Sequence, residues 1–113
     1  MNADDMLVNI QNLIFDKRIT GEMMKSCRRC VISGRVQGVY FRQGTLEQAE
    51  KCGVKGWVRN LNNGDVECVI CGDNEALEQL MTWLHQGPPS AHVVKMESSD
   101  IPWEEHTGFS IRR

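Results

Sequence analysis

From Cys27 onward the chain switches between a hydrophobic period of two and one of about three and a half, and the order of the switches lays out its elements. Cys27 to Ser33, with the β-prone pair Val31-Ile32, predicts a first strand. A helical pattern follows from Gln43 to Cys52, with Leu46 and Ala49 on its inner face and Gly53 as its stop. Val54 to Asn60 predicts a second strand. Asn63-Gly64 is a strong hairpin signal, since both residues tolerate positive φ, and a third strand follows from Asp65 to Cys71. Asp73 or Asn74 can cap a second helix, whose Leu77, Leu80, Met81 and Leu84 recur at helical spacing until Gly87-Pro88-Pro89 ends it. His92 to Ser98 and Phe109 to Arg112 are the remaining strands.

This order predicts an α+β, ferredoxin-like βαββαβ sandwich: an antiparallel sheet with two helices packed on one face. The length of 113 residues and the 41% hydrophobic content leave room for one core and no second domain. In such a sheet the first and third strands are antiparallel neighbours, so the numbers of paired residues share a constant sum. That sum is the same for 27 with 71 as for 30 with 68. Cys30 and Cys68 then share the helix-covered face with Ile32, Val66 and Ile70, whereas Cys27 and Cys71 lie on the open face near the strand ends.

The same cysteines form two CxxC pairs, Cys27-Arg-Arg-Cys30 and Cys68-Val-Ile-Cys71, which on a zinc ribbon would supply four thiolates to one ion. Residues three apart on a strand face opposite sides of the sheet, and the turn residues that would bend the strand into a knuckle are missing after Cys30. No metal is expected. Free thiols are the default in a reducing compartment. If a disulfide forms, Cys27 to Cys71 is the expected pair, because those residues lie nearer solvent.

The stretch Gly34 to Arg42, reading GRVQGVYFR, carries the first candidate chemistry. It joins a strand to a helix amino terminus, where unpaired N–H groups and the helix dipole favour an anion. Two glycines four residues apart let backbone amides crowd around one bound group, and Arg42 offers a planar fork suited to phosphate oxygens. A cation at that helix end opposes the dipole by roughly 0.3–1 kcal/mol unless an anion sits between them. The second candidate segment is Gly56 to Gly64, a short β-like run ending in amides and a turn.

Together these segments closely resemble the acylphosphatase family, and the resemblance continues through Cys71-Gly72, Trp83-Leu84, the Pro-Ser-Ala stretch from Pro89 and the closing Phe109-Ser110-Ile111-Arg112, covering about residues 26 to 113. It implies a hydrolase that splits the carboxyl–phosphate bond of acyl phosphates, giving a carboxylate and inorganic phosphate, the latter also an inhibitor. By motif position the phosphate-binding loop is Val36, Gln37, Gly38, Val39, Tyr40, Phe41 and Arg42. Loop amides and Arg42 would hold the phosphoryl group, and Asn60 would orient the attacking water. An acyl phosphate is a mixed anhydride whose carboxylate leaves readily, so holding the oxygens and placing a water in line suffices. No cofactor is implied: the loop lacks the Lys-Ser/Thr ending of a nucleotide-binding P-loop, and His85, His92 and His106 fall outside both segments.

Two other readings stand beside it. One is a carbamoyl-phosphate-handling acylphosphatase-like module, and the other a non-catalytic ferredoxin-like module binding a small anion or RNA. The net charge of −2 and the lack of an aromatic RNA-binding strand pattern count against nucleic acid and against an anionic membrane. Arg35, Arg42 and Arg59 can still make a locally positive site. Residues 1–25 lie outside the family pattern. They lack a basic leader region, since Asp4 and Asp5 occupy that position, and their apolar residues can form an amphipathic helix from about Met6 to Ile19. The preferred reading takes Met23 or Met24 as the natural start, which would make the upstream residues a flexible or accessory extension. The expected protein is a cytoplasmic monomer.

Overall fold

The structure is a computed structural model in which residues 24–113 are described. Their elements run β1 (Lys25–Arg35), α1 (Phe41–Cys52), β2 (Lys55–Asn60), β3 (Val66–Asp73), α2 (Asn74–Gln86), β4 (His92–Ile101) and β5 (Phe109–Arg112). The amphipathic helix expected over Met6 to Ile19 lies outside the described residues. Among those described, no helix is long and apolar enough to cross a membrane.

The strands form one sheet in the order β4-β1-β3-β2-β5. The β1–β3 register pairs Cys27 with Cys71 and Cys30 with Cys68, as the constant sum requires. The β1–β4 and β2–β3 pairs are antiparallel as well, but β2 and β5 run parallel, so the sheet is mixed rather than wholly antiparallel. The reason lies in the path of the chain. β4 and β5 occupy opposite edges, so residues 102–108 must cross the sheet end where β1 and β2 begin and β3 finishes. After that crossing, β5 can only run in the direction of β2.

Side-chain alternation along the strands builds the core. Cys30, Ile32, Val58, Val66, Cys68 and Ile70 turn one face of the sheet toward Phe41 and Ala49 of α1 and Leu77, Leu80 and Leu84 of α2. The inner face of α1 differs from expectation: Thr45 is fully buried while Leu46 is only half-buried. Thr45 can sit there because its hydroxyl donates to the Phe41 carbonyl at 2.8 Å, leaving no unpaired polar group. Asp73 occupies the N-cap position of α2 without a side-chain capping bond. Asn74 instead accepts a hydrogen bond from the Ser26 hydroxyl at 2.5 Å, tying the helix start to β1.

The opposite face is not bare. Glu67 is only 3% exposed there, with Arg29 Nε donating to one carboxylate oxygen and Arg59 Nε to the other, each at 2.6 Å. Arg59 and Arg112 both lie over the Trp57 ring, at 5.3 and 4.6 Å from its centroid. Cys27 and Cys71 are also buried on this face, packed with Val69, Trp57 and Ile101, rather than lying near solvent. Residues following β4 cover them as they cross the sheet end: the Glu104 amide donates to Cys27 Sγ at 3.2 Å.

Candidate active site

β1 ends at Arg35, and residues 36–40 turn the chain into α1. Three apolar side chains of this turn, Val36, Val39 and Phe41, are buried in the core and anchor it. Between them the backbone takes two left-handed residues: Gly38 at φ 74° and Tyr40 at φ 64°, the latter the one non-glycine of positive φ among the described residues. No side chain caps α1 and its first turn holds no acidic residue. The first helical bond runs from the Gly44 amide to the Tyr40 carbonyl, at 3.0 Å. The amides of Phe41, Arg42 and Gln43 therefore point out of the helix end unsatisfied by it, with the positive end of the dipole behind them.

Asn60 is the last residue of β2, where the strand pairs with Val66 before the hairpin. Its Oδ1 is buried and has no hydrogen-bond partner among the described residues. Buried acceptors are normally paired, so this oxygen is available to a donor entering from the cleft. That cleft has a volume of about 870 Å³ and is lined by Val36, Gly38, Tyr40, Phe41, Arg42, Gln43, Asn60, Ile111 and Arg113. Arg42 and Asn60, fifteen or more residues apart in sequence and on different elements, thus share one cavity at the amino terminus of α1. No carboxylate or histidine side chain lines it.

Other residues named from the sequence fall elsewhere. Gln37 turns its side chain away from the cleft, its Nε2 donating at 2.8 Å each to the Leu61 and Asp65 carbonyls. Arg35 does not line the cleft, and Arg59 is held by Glu67 on the other face of the sheet, so neither supplies the local positive charge expected of them. The second cation at the mouth is Arg113. Gln43, Ile111 and Arg113 were not among the sequence candidates. The parallel β2–β5 pairing, which sets Ile111 beside Val58, brings the end of β5 to this place.

The structure joins Cys27 and Cys71 in a disulfide with a Cα–Cα distance of 4.1 Å, the closer of the two spacings an antiparallel pair offers. The bridge lies at the sheet end opposite the cleft. Beside it is a smaller cavity of about 280 Å³, lined in part by Cys71, Trp103 and His106. Cys30 and Cys68 are free and buried in the core. A hydrogen bond with Cys30 and burial push the Cys68 thiol well up, which keeps it protonated. Among the described residues no cluster of three or more histidine, cysteine or carboxylate side chains can hold a metal ion.

The family model and close relatives place the chain beside acylphosphatases. The acylphosphatase family model matches residues 28–111. An acylphosphatase from Nitrosococcus oceani is 48% identical over 89 residues, covering 79% of this chain and 100% of that protein. One from Colwellia psychrerythraea is 49% identical over 80 residues, covering 71% of this chain and 90% of its own length. Among solved structures, an acylphosphatase from Coxiella burnetii superposes with a TM-score of 0.78 at 38% identity, over 83% of this chain and 99% of that one.

Proposed function

The chain belongs to the acylphosphatase family and is an acylphosphatase; from that premise we propose that Arg42, the outward amides at the start of α1 and Asn60 carry out the hydrolysis. Its substrate is an acyl phosphate and its product inorganic phosphate. The phosphoryl oxygens lie against the Phe41, Arg42 and Gln43 amides, with the Arg42 guanidinium completing their ring of donors. Asn60 Oδ1 accepts a hydrogen bond from a water and holds it in line with the bond to the leaving carboxylate. The water oxygen attacks phosphorus as the phosphorus–oxygen bond to the acyl group breaks. The carboxylate departs with the bonding pair, and the water's proton passes to a phosphate oxygen or to solvent. A carboxylate is a good leaving group at neutral pH, so no general acid has to protonate it.

One observation carries this reading: Asn60, whose buried Oδ1 has no partner among the described residues, lines the same cleft as Arg42. Hydrolysis of a simple aromatic acyl phosphate in isotopically labelled water, without added metal, tests it. Label is expected in the phosphate. Label in the carboxylate would mean attack at the carbonyl, and would remove Asn60 from its assigned role.

We read the protein as a cytoplasmic monomer without nucleic-acid or membrane partners, supported by its net charge of −2. The domain is taken as residues 26–113, with 1–25 accessory. The chain spans 90–100% of the length of the acylphosphatases from Colwellia psychrerythraea and Nitrosococcus oceani.

A further inference from the structure

The cleft is larger than its proposed chemistry needs. A volume of about 870 Å³ falls in the range of roughly 300–1,000 Å³ that encloses whole organic ligands, whereas the loop amides, Arg42 and Asn60 account only for a phosphoryl group and a water. The remaining walls have a distinct character. Tyr40 is 83% exposed and Ile111 is 38% exposed, two of the five exposed large apolar side chains among the described residues, and both line this cleft from different elements. Packing does not hold Tyr40 there. Its side chain makes no hydrogen bond or ring contact among the described residues, and its left-handed backbone is unfavourable for a residue with a Cβ. Unrelieved strain of this kind gathers at ligand sites.

The charge of the lining side chains is equally one-sided. Arg42 and Arg113 both line the cleft, no carboxylate side chain does, and neither arginine makes a salt bridge among the described residues. Four arginines of the sheet differ: Arg28, Arg29 and Arg59 each meet a carboxylate, and Arg112 lies over Trp57; Arg35 makes no salt bridge among the described residues but does not line the cleft. If Arg42 serves the phosphoryl group, a second unpaired cation remains at the rim.

The geometry points to an acyl-group subsite, walled by Tyr40 and Ile111 and rimmed by Arg113, that selects acyl phosphates with an apolar body next to the phosphoryl group and a second anionic group at the far end. This assignment rests on the reading that the loop and Arg42 hold the phosphoryl group. The apolar body lies between the Tyr40 ring and Ile111, which lose exposed surface as it enters. The distal carboxylate or phosphate meets Arg113 in a setting open to solvent, so the selection is modest and falls with salt.

Three substrates separate these contributions: acetyl phosphate, benzoyl phosphate and para-carboxybenzoyl phosphate, compared by kcat/KM in the wild-type protein and in Arg113→Gln and Tyr40→Ser. Comparing ratios between proteins cancels differences in intrinsic reactivity between the compounds. The carboxybenzoyl-to-benzoyl ratio is expected to fall about fivefold in Arg113→Gln, and to fall in the wild type as salt rises. The benzoyl-to-acetyl ratio is expected to fall about fivefold in Tyr40→Ser. The inhibition constant for inorganic phosphate should move less than about twofold in Arg113→Gln, because that residue does not serve the phosphoryl group. Unchanged ratios in the two variants would overturn the subsite. A loss of phosphate inhibition and of all three substrates together in Arg113→Gln would also overturn it, by placing Arg113 in the phosphoryl site. Undiminished hydrolysis of acetyl phosphate by Arg42→Ala would instead defeat the underlying reading.

Discussion

Gln37 Nε2 donates to the Leu61 carbonyl at 2.8 Å, which fastens the turn before α1 to the residue that follows Asn60. The second hydrogen of the same amide goes to the Asp65 carbonyl, also at 2.8 Å, and Asp65 in turn accepts from the Leu61 amide. One side chain therefore grips both carbonyls at the base of the hairpin. The distance from the loop, to which we assign the phosphoryl group, to Asn60, to which we assign the water, is set through this clamp.

Replacing Gln37 by Met keeps the length of the side chain and removes both donors. The expected result is a fall in kcat of about tenfold or more, since small misplacements of reacting groups are that costly, with KM and phosphate inhibition changed far less. Gln37→Asn, which keeps the amide on a shorter arm, should retain more turnover than Met. Steady-state kinetics with phosphate as inhibitor decides the point. A rise in KM matching the fall in kcat/KM would mean that the bond only shapes the phosphate loop.

Arg42→Ala and Asn60→Ala should each lower turnover by at least about a hundredfold, the scale on which lost charge stabilisation and lost water positioning are usually felt. Their signatures should differ. Without Arg42, inhibition by inorganic phosphate should weaken; without Asn60 it should stay largely intact. Near-normal turnover in either folded variant would exclude that residue from the mechanism.

Glu67 supplies a stability prediction. Burial, the largest single influence, pushes its carboxyl up, but the hydrogen bonds and charges of Arg59 and Arg29 together outweigh it and hold the group below its ordinary value. A carboxylate depressed in the folded state stabilises fully above its unfolded pKa, about 4.3 for Glu, and loses that contribution as pH falls from there through the lower folded value. Glu67→Gln should therefore cost about 1–2 kcal/mol at neutral pH, reduced from the figure for a fully buried pair because both arginines are partly exposed. Its stability should also vary less with pH across the acid range. Denaturant melts at several pH values give both numbers, and parallel pH curves for the two proteins would refute the assignment.

The Cys27–Cys71 bridge closes a segment of sequence separation 44. Its reduction should lower stability by roughly 2–4 kcal/mol while leaving activity in the folded protein, because bridge and cleft occupy opposite ends of the sheet. Peptide mapping without reductant should find this pair and no bridge between Cys30 and Cys68. A bridge between those two core thiols would contradict the packing described for β1 and β3.

Much of this was legible in the sequence because periodicity reports local geometry. The constant sum for paired residues foresaw the partners of Cys27 and Cys30 on β3, and alternation correctly placed Cys30 and Cys68 among core residues. The chain's crossing after β4 was not legible, since residues 102–108 have no hydrophobic period. Their path covers Cys27 and Cys71, makes β5 parallel to β2, and carries Ile111 and Arg113 to the cleft. Glu67 was missed for a related reason. A charged residue on an open strand face normally meets water, and only the two flanking arginines, which come from different strands, make its burial tolerable.

The cleft draws its walls from the first turn and the final strand, from Val36 through Arg113. A ribosome delivers those parts at opposite ends of the job. A nascent chain that has already released Arg42 and Asn60 still lacks β5, so the residues assigned to the phosphoryl group are synthesised before Ile111 and Arg113 of the facing wall. Such long-range closure is slow to form compared with local helix and hairpin contacts. Hydrolysis is thus expected to report the completion of the whole sheet rather than the presence of two residues, and activity regained on refolding to follow the docking of the last strand.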